Sequence, residues 1–172
     1  MLRFSEPTII ERTPYKVVGA YSTYEGETPE DEGPGWQGAE KGFFSRSSEI
    51  TNRVDDGVLG FLYRPHNDHP EISLKVKACF IGAEVTHLNQ VPTGMATTQF
   101  SGGKYVMVDC IGDTGDEAAE GVGKAIGMLM TEWIPAHSYI EGDACFAFSH
   151  EKAQRPPHIE TVYIKIEPTQ RA

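Results

Sequence analysis

Apolar and polar positions near the start of the chain fall in two short runs separated by Thr13-Pro14. Ile9 and Ile10 precede the break, and Tyr15 to Tyr24 follow it. Proline fixes φ and removes a backbone donor, so the pattern predicts two extended segments around a turn. The next stretch, EGETPEDEGPG, is rich in glycine, proline and acids. That is the composition of a solvated, mobile loop. From Trp36 the period changes: Trp36, Glu40, Phe43, Ser47, Ile50 and Val54 fall three or four apart. This spacing predicts a helix from Trp36 to Val54. Gly38 and Gly42 weaken it by about 1 kcal/mol each relative to alanine. Asp55-Asp56-Gly57 ends it, with Gly57 as the expected left-handed cap.

Val58 to Tyr63 then reads as an apolar strand, RPHNDHPE as a polar turn, and Ser73 to Val85 as a second strand. In that second strand Leu74, Val76, Ala78 and Phe80 share one face, and Lys75 and Lys77 the other. The two strands predict a hairpin. The order of elements repeats in the second half. Met95 to Phe100 is a short strand, Ser101-Gly102-Gly103 a turn, and Lys104 to Ile111 a strand. GDTG opens a helix whose apolar stripe is Val122, Ala125, Ile126, Leu129 and Trp133, and Pro135 stops it. Ala144 to Ser149 is a strand, KAQRPP a turn, and Glu160 to Ile166 the last strand. The reading is an α+β fold built as a tandem β-α-β-β repeat with antiparallel sheets. Its repeats cover about 8–88 and about 92–168 of one 1–172 domain. A pseudo-twofold axis and a groove between the halves are expected, and the groove is a natural pocket.

Composition narrows the function. A chain of 172 residues with 39% hydrophobic and 23% charged residues is ordinary for a globular domain. The formal net charge of -10 argues against direct nucleic-acid binding, which rests on Lys and Arg neutralising phosphates. It suits cations, neutral molecules or a protein partner, and it also simply keeps a protein soluble. Cys79, Cys110 and Cys145 lie in apolar, strand-like runs without a CxxC spacing. They read as buried thiols, not zinc ligands or a disulfide framework. The start, MLRFSEPTII, lacks the apolar segment of a secretory signal. No apolar run approaches the roughly 20 residues of a membrane span. The cytoplasm is the expected location, with no membrane association.

The second half carries a set of ordered features: Pro92 before a short strand, Gly103 and Tyr105 on the next, Gly112 after it, and a helix closing in Trp133-Ile134-Pro135. The tail ETVYIKIEP follows as a last strand. In that order and spacing they resemble the GyrI-like small-molecule-binding family, the effector-binding module of AraC- and MerR-type regulators. The first half fits more loosely, through Trp36 at the start of its helix and Gly60 on the following strand. The resemblance implies two SHS2-like β-α-β-β units side by side. It also implies an aromatic-lined groove for hydrophobic or amphipathic compounds, often cationic or planar, and no cofactor. Three departures stand out. The family's proline in the closing strand is Lys165 here. The acid often found on the strand near Asp143–Phe148 is replaced by Ala147. Strand-like sequence begins by Thr8, so no helix-turn-helix is expected before it.

From the residues and the resemblance together, the candidate ligand-binding positions are Trp36, Phe43, Phe44, Glu84, Tyr105, Trp133, Phe146 and Phe148. Catalytic residues cannot be assigned from the sequence. Each position has a plainer alternative. Trp36 is either a gate beside the acidic loop or core. Phe43 and Phe44 are adjacent, so one faces the groove. Trp133 sits on an apolar stripe and reads as structural or as groove edge. Phe146 and Phe148 share a strand face expected to look toward the helices and the groove, with Trp36 and Phe146 in one cavity. Glu84 is inward if its strand continues and solvated if the strand has ended, the reading slightly preferred; Asp143 is the other carboxylate that could serve a cation. His66 and His69 lie in a proline-bounded turn with no third ligand, so a solvated loop is expected and no metal. GDTG reads as a helix cap and not an anion site, because Asp113, Asp116 and Glu117 repel anions.

Three functions follow. The first is a stand-alone binding protein for hydrophobic small molecules. The second is a hydrolase of cyclopropane-bearing alkylating compounds, with Tyr105 or Glu84 positioning water. The third is an inhibitor of a protein such as gyrase, with the acidic loop Glu25 to Glu32 mimicking DNA.

Overall fold

The computed structural model describes residues 1–150 and 155–170. Its elements are β1 (Arg3–Phe4), β2 (Thr8–Arg12), β3 (Tyr15–Tyr24), α1 (Gly33–Phe44), β4 (Gly57–Tyr63), β5 (Lys77–Val85), β6 (Ala96–Phe100), β7 (Gly103–Gly112), α2 (Gly115–Met128), α3 (Ile134–Ala136), β8 (Tyr139–His150) and β9 (His158–Pro168). The fold is α+β, and the registered strand pairs are antiparallel. Packing divides the chain into a central unit, Tyr15–Gln99, and a terminal unit, Met1–Pro14 with Phe100–Ala172. The turn expected over KAQRPP falls partly at 152–154, outside the described residues.

In the central unit β5 lies between β3 and β4, with β6 beside β3. Side chains alternate across a strand, and here the two sets differ in kind. Val18, Val58, Cys79, Ile81, Ala83 and Val85 form a core with Ala39 and Phe43 of α1. The helix reaches this face closely because it presents glycine. A Cβ at Gly38 would stand 2.3 Å from Ser22 Oγ, one at Gly42 3.0 Å from Ala20 Cβ, and one at Gly35 3.0 Å from Cys79 Sγ. The glycines that weaken α1 as an isolated helix are what seat it on the sheet.

Three expectations fail here for local reasons. First, α1 ends at Phe44 and not Val54. Beyond it come Ser45, Arg46, Ser47 and Ser48, and Ser45 Oγ turns back to the Gly42 carbonyl at 3.3 Å. Short hydroxyl side chains compete with helical hydrogen bonds in this way. Gly57 therefore opens β4 instead of capping a helix. Second, β5 starts at Lys77, because Ser73 makes a turn with Val76 (N–H to carbonyl, 3.1 Å). Leu74, expected on the apolar face, is 66% exposed. Third, the acidic segment is not a featureless loop. Pro29–Glu32 forms a 3-10 turn, with Asp31 accepting from the Thr28 N–H and hydroxyl, both at 2.9 Å.

In the terminal unit β9 lies between β7 and β8, and β2 pairs with the other side of β7. Val106, Val108, Cys110, Val162, Ile164 and Ile166 pack against Ala125 and Leu129. The GDTG segment acts as a cap: Thr114 Oγ1 accepts the Glu117 N–H at 3.2 Å, and Glu117 Oε2 accepts the Asp113 N–H at 2.8 Å. After α2 the helix widens into a π turn, Leu129–Trp133, before α3. Pro135, which lacks an N–H to donate to the preceding turn, lies in α3, and the chain leaves the helix after Ala136.

Lys165, in place of the family's proline, staples this sheet. Its stem runs between two glycines: a Cβ at Gly142 would stand 3.0 Å from Lys165 Cγ, and one at Gly103 3.2 Å from Cε. Its ammonium donates to Ser101 Oγ at 2.6 Å and lies 3.4 Å from Asp143 Oδ1. Ser101 in turn donates to Asp143 at 3.0 Å. Burial alone would raise the Asp143 pKa, but the Ser101 hydrogen bond and the Lys165 charge outweigh it and hold it below the ordinary value.

Two stability measurements test this account. Gly38→Ala should destabilise by about 1–3 kcal/mol through overpacking. Gly127→Ala in α2, with nothing within 4 Å of the added Cβ, should stabilise by up to about 1 kcal/mol through helix propensity. Urea melts of both variants give the comparison. For Asp143, a depressed folded pKa means that its contribution is present above the unfolded value of about 3.9 and is lost as pH falls through the folded one. Because its carboxylate is largely exposed, Asp143→Asn should cost no more than about 1 kcal/mol at pH 7. That cost should shrink progressively below about pH 4, as melts at a series of pH values would show.

Candidate functional site

In each unit the strand face turned away from the helix gathers aromatic side chains. In the central unit, alternation turns Tyr21, Phe61, Tyr63 and Phe80 away from α1. The register places Tyr21 and Phe61 on either side of Phe80. Phe61 and Phe80 stack at 4.8 Å and 14°, Tyr63 meets Phe80 edge-on at 5.1 Å, and Tyr21 approaches Tyr63 at 5.2 Å. Aromatic pairs at these spacings add to plain area burial. The next rung on this face is Gly19, Gly82 and Leu59. The Phe80 ring leans over it, so a Cβ at Gly82 would come within 2.8 Å of Phe80 Cε1.

Glu84 stands one rung further, opposite Val17. The sequence reading preferred a strand already ended and a solvated Glu84; β5 instead runs through Val85. Glu84 is half-buried on the face of Phe80 and Gly82. Tyr63 donates its hydroxyl to Asp68 at 2.5 Å. Burial first, and then Asp68, push the Tyr63 pKa up, so it stays a neutral donor.

In the terminal unit Phe146 lies opposite Tyr163, itself opposite Met107. Phe146 and Tyr163 stack at 5.0 Å and 20°, with Phe100 at 5.1 Å and Tyr105 edge-on at 6.0 Å from Phe146. The Arg12 guanidinium sits over the Tyr163 ring at 5.8 Å. The expectation that the Phe146 face looks toward the helices is corrected. Cys145 is the side chain that packs with the α2 core, so Phe146 and Phe148 point the other way. Ala147, where the family often has an acid, lies opposite Val162 on the α2 side, away from the aromatic rings.

The other candidates are placed as follows. Trp36 packs on the α1 core, its ring 3.4 Å from where a Cβ of Gly60 would be, and its indole N–H donates to Glu32 at 3.3 Å. Phe43 is buried in that core, and Phe44 is 46% exposed with its ring edge-on to Phe43. Tyr105 is buried and donates to the Ser101 carbonyl at 2.7 Å. Trp133, in the π turn, stacks on His137 at 4.0 Å and parallel to Tyr139 at 6.3 Å. Phe148 meets His150 edge-on. The structure thus gathers Tyr105 and Phe146 in the terminal unit, and Trp36 and Phe43 around the α1 core. Sequence reasoning missed Tyr21, Phe61, Tyr63, Phe80, Phe100 and Tyr163. The signal was there in Phe61 and Tyr63, two apart on one strand, but the segment read only as apolar.

Nucleophile and metal chemistry find little here. Burial pushes the thiols of Cys79, Cys110 and Cys145 up to about 12, so they are un-ionised at neutral pH and poor nucleophiles. His66 Nδ1 is 2.6 Å from the Ile72 carbonyl, and His69 lies 3.7 Å from Glu71. Among the described residues no three His, Cys, Asp or Glu side chains gather as a metal site, and no helix is long and apolar enough to cross a membrane.

Comparison with known proteins agrees with this architecture. A search of curated protein sequences finds no match. Solved structures share the fold. An integron cassette protein from the mobile metagenome of Vibrio cholerae aligns over 96% of this chain and 99% of its own, at 17% identity and a TM-score of 0.57. A putative transcription regulation protein from Staphylococcus aureus aligns over 94% and 98%, at 17% identity and 0.63. SAV2435 bound to tetraphenylphosphonium aligns over 95% and 94%, at 13% identity and 0.64. The family model of the GyrI-like small molecule binding domain matches residues 5–167, and the chain belongs to that family.

Proposed function

We propose that this protein binds hydrophobic small molecules, cationic or planar ones above all, on the aromatic faces of its sheets. The observation that carries the reading is the aromatic rung Tyr21–Phe80–Phe61, with the Glu84 carboxylate further along the same face. The rings form an apolar cluster in which Phe61, Tyr63 and Phe80 are buried, and aromatic π faces attract a cation. Glu84, a half-buried carboxylate on the same face, favours positive charge. Tyr105, Phe146 and Phe148 extend the proposed ligand-facing set in the terminal unit. The tetraphenylphosphonium held by SAV2435 is a ligand of this chemical kind. Trp36, Phe43 and Phe44 lie on α1, on the other side of the central sheet, and are left to the core and the surface.

The hydrolytic alternative has less to stand on. The Tyr105 hydroxyl is engaged with a backbone carbonyl, and Asp143 is held by Ser101 and Lys165. The acidic segment proposed for gyrase mimicry spends part of its charge internally, on the Thr28 cap and on Lys77, which lies 3.1 Å from Glu27.

Titration calorimetry with tetraphenylphosphonium tests the proposal. Phe61→Ala should weaken binding by about 1–3 kcal/mol, as for an anchor ring. Trp36→Ala should lower stability and leave affinity in the folded protein unaltered. Glu84→Gln should weaken the cation and spare neutral triphenylphosphine oxide. Absence of binding by well-folded protein, or affinity indifferent to Phe61 and Glu84, sinks the reading.

A further inference from the structure

We propose a second small-molecule site, in the terminal unit, that takes an amphipathic amine: an apolar body carrying one ammonium group. A cavity of about 400 Å³ opens where α3 meets the start of β8, lined by Met130, Ile134, Pro135, Tyr139, Ile140 and Glu141, with Thr169 at its edge. Its volume falls in the range of ligand pockets. It lies about six residues along β8 from Phe146, roughly 15–20 Å at strand rise, so it is not the aromatic face described above.

Three features build this place. The helix widens into a π turn at Leu129–Trp133, a feature that recurs at functional sites. Thr131 Oγ1 donates to the Gly127 carbonyl at 2.7 Å, while Met130 reaches the cavity wall with an adaptable thioether. The chain then turns through Ser138, a non-glycine residue at φ 62°, a conformation retained only where the surroundings hold it. Thr169 does the holding: its N–H and its hydroxyl both donate to the Ser138 carbonyl at 3.0 Å.

The lining decides the ligand class. Its polar members are Tyr139, Thr169 and Glu141, the one carboxylic side chain among the described residues that line it. Glu167 lies across from Ile140 in the strand register, adding negative potential at the rim. Ile140, though apolar, is 49% exposed, so the cavity wall already shows water the surface that an apolar body would cover. An amine with an apolar body meets both needs, and a carboxylate ligand is repelled.

The site can be read optically. The chain has two tryptophans, so Trp36→Phe leaves Trp133, stacked parallel to the cavity residue Tyr139 at 6.3 Å, as the sole reporter. Titrating this protein with benzyltrimethylammonium should give a saturable change in Trp133 fluorescence. Glu141→Gln should weaken it about fivefold, the upper range for a largely exposed ion pair. Ile140→Trp, which fills the cavity from an exposed position, should abolish binding, read by amide NMR shifts at Thr169 because it adds an indole. Phe61→Ala, the test of the aromatic face, should leave the Trp133 signal as it was, so the two readings can fail separately. No saturable change in folded protein, an affinity unaltered by Glu141→Gln, or binding that survives Ile140→Trp overturns the proposal.

Discussion

The structure depends on one constraint: both faces of each sheet are occupied, and by different kinds of side chain. Small aliphatic residues and cysteines face the helix, and large rings face away. The division follows from period-two alternation, but it works only because the helix can come close. Across the α1 face the contact layer is Val18, Ala20, Cys79, Ile81 and Ala83 against glycine and alanine. A thin layer on one side leaves the bulky side chains to the other, where rings stack across three strands. The aromatic platform is therefore a counterpart of the glycine-seated helix and not a separate addition to the fold.

Much of the fold could be read from the sequence. The breaks at Pro14, Gly102-Gly103 and GDTG, and the helix–strand–strand order, follow from turn chemistry and periodicity. What misled was spacing without propensity. Ser47, Ile50 and Val54 continue a helical period on paper, yet Ser45 and the serines that follow it end α1. Leu74 looked like the first apolar residue of a strand and is the exposed tip of a turn. The partnership of β2 with β7 joins residues nearly a hundred positions apart, and no local pattern contains it.

The candidate site was less legible, because a strand's two faces look alike in sequence until something fixes which is which. Phe146 could be placed on a face with Phe148, but not on the side away from α2. Glu84 hung on whether β5 ended one residue earlier. Tyr21, Phe61 and Phe80 come from three strands, and only their register aligns them. Trp36 drew notice as a large aromatic beside an acidic loop, and its hydrogen bond to Glu32 ties it to that segment.

Lys165 bears on how such a sheet can change. Its stem fits only because both flanking positions lack a side chain, so the three residues are linked in the order in which they can be altered. With the lysine present, a methyl group at position 142 intrudes on its stem. With a shorter residue at 165 the contacts to Cγ and Cδ ease, while the one to Cβ at 3.2 Å stays. The cost of an identical substitution at 142 thus depends on its background, being largest when the full lysine stem lies against it.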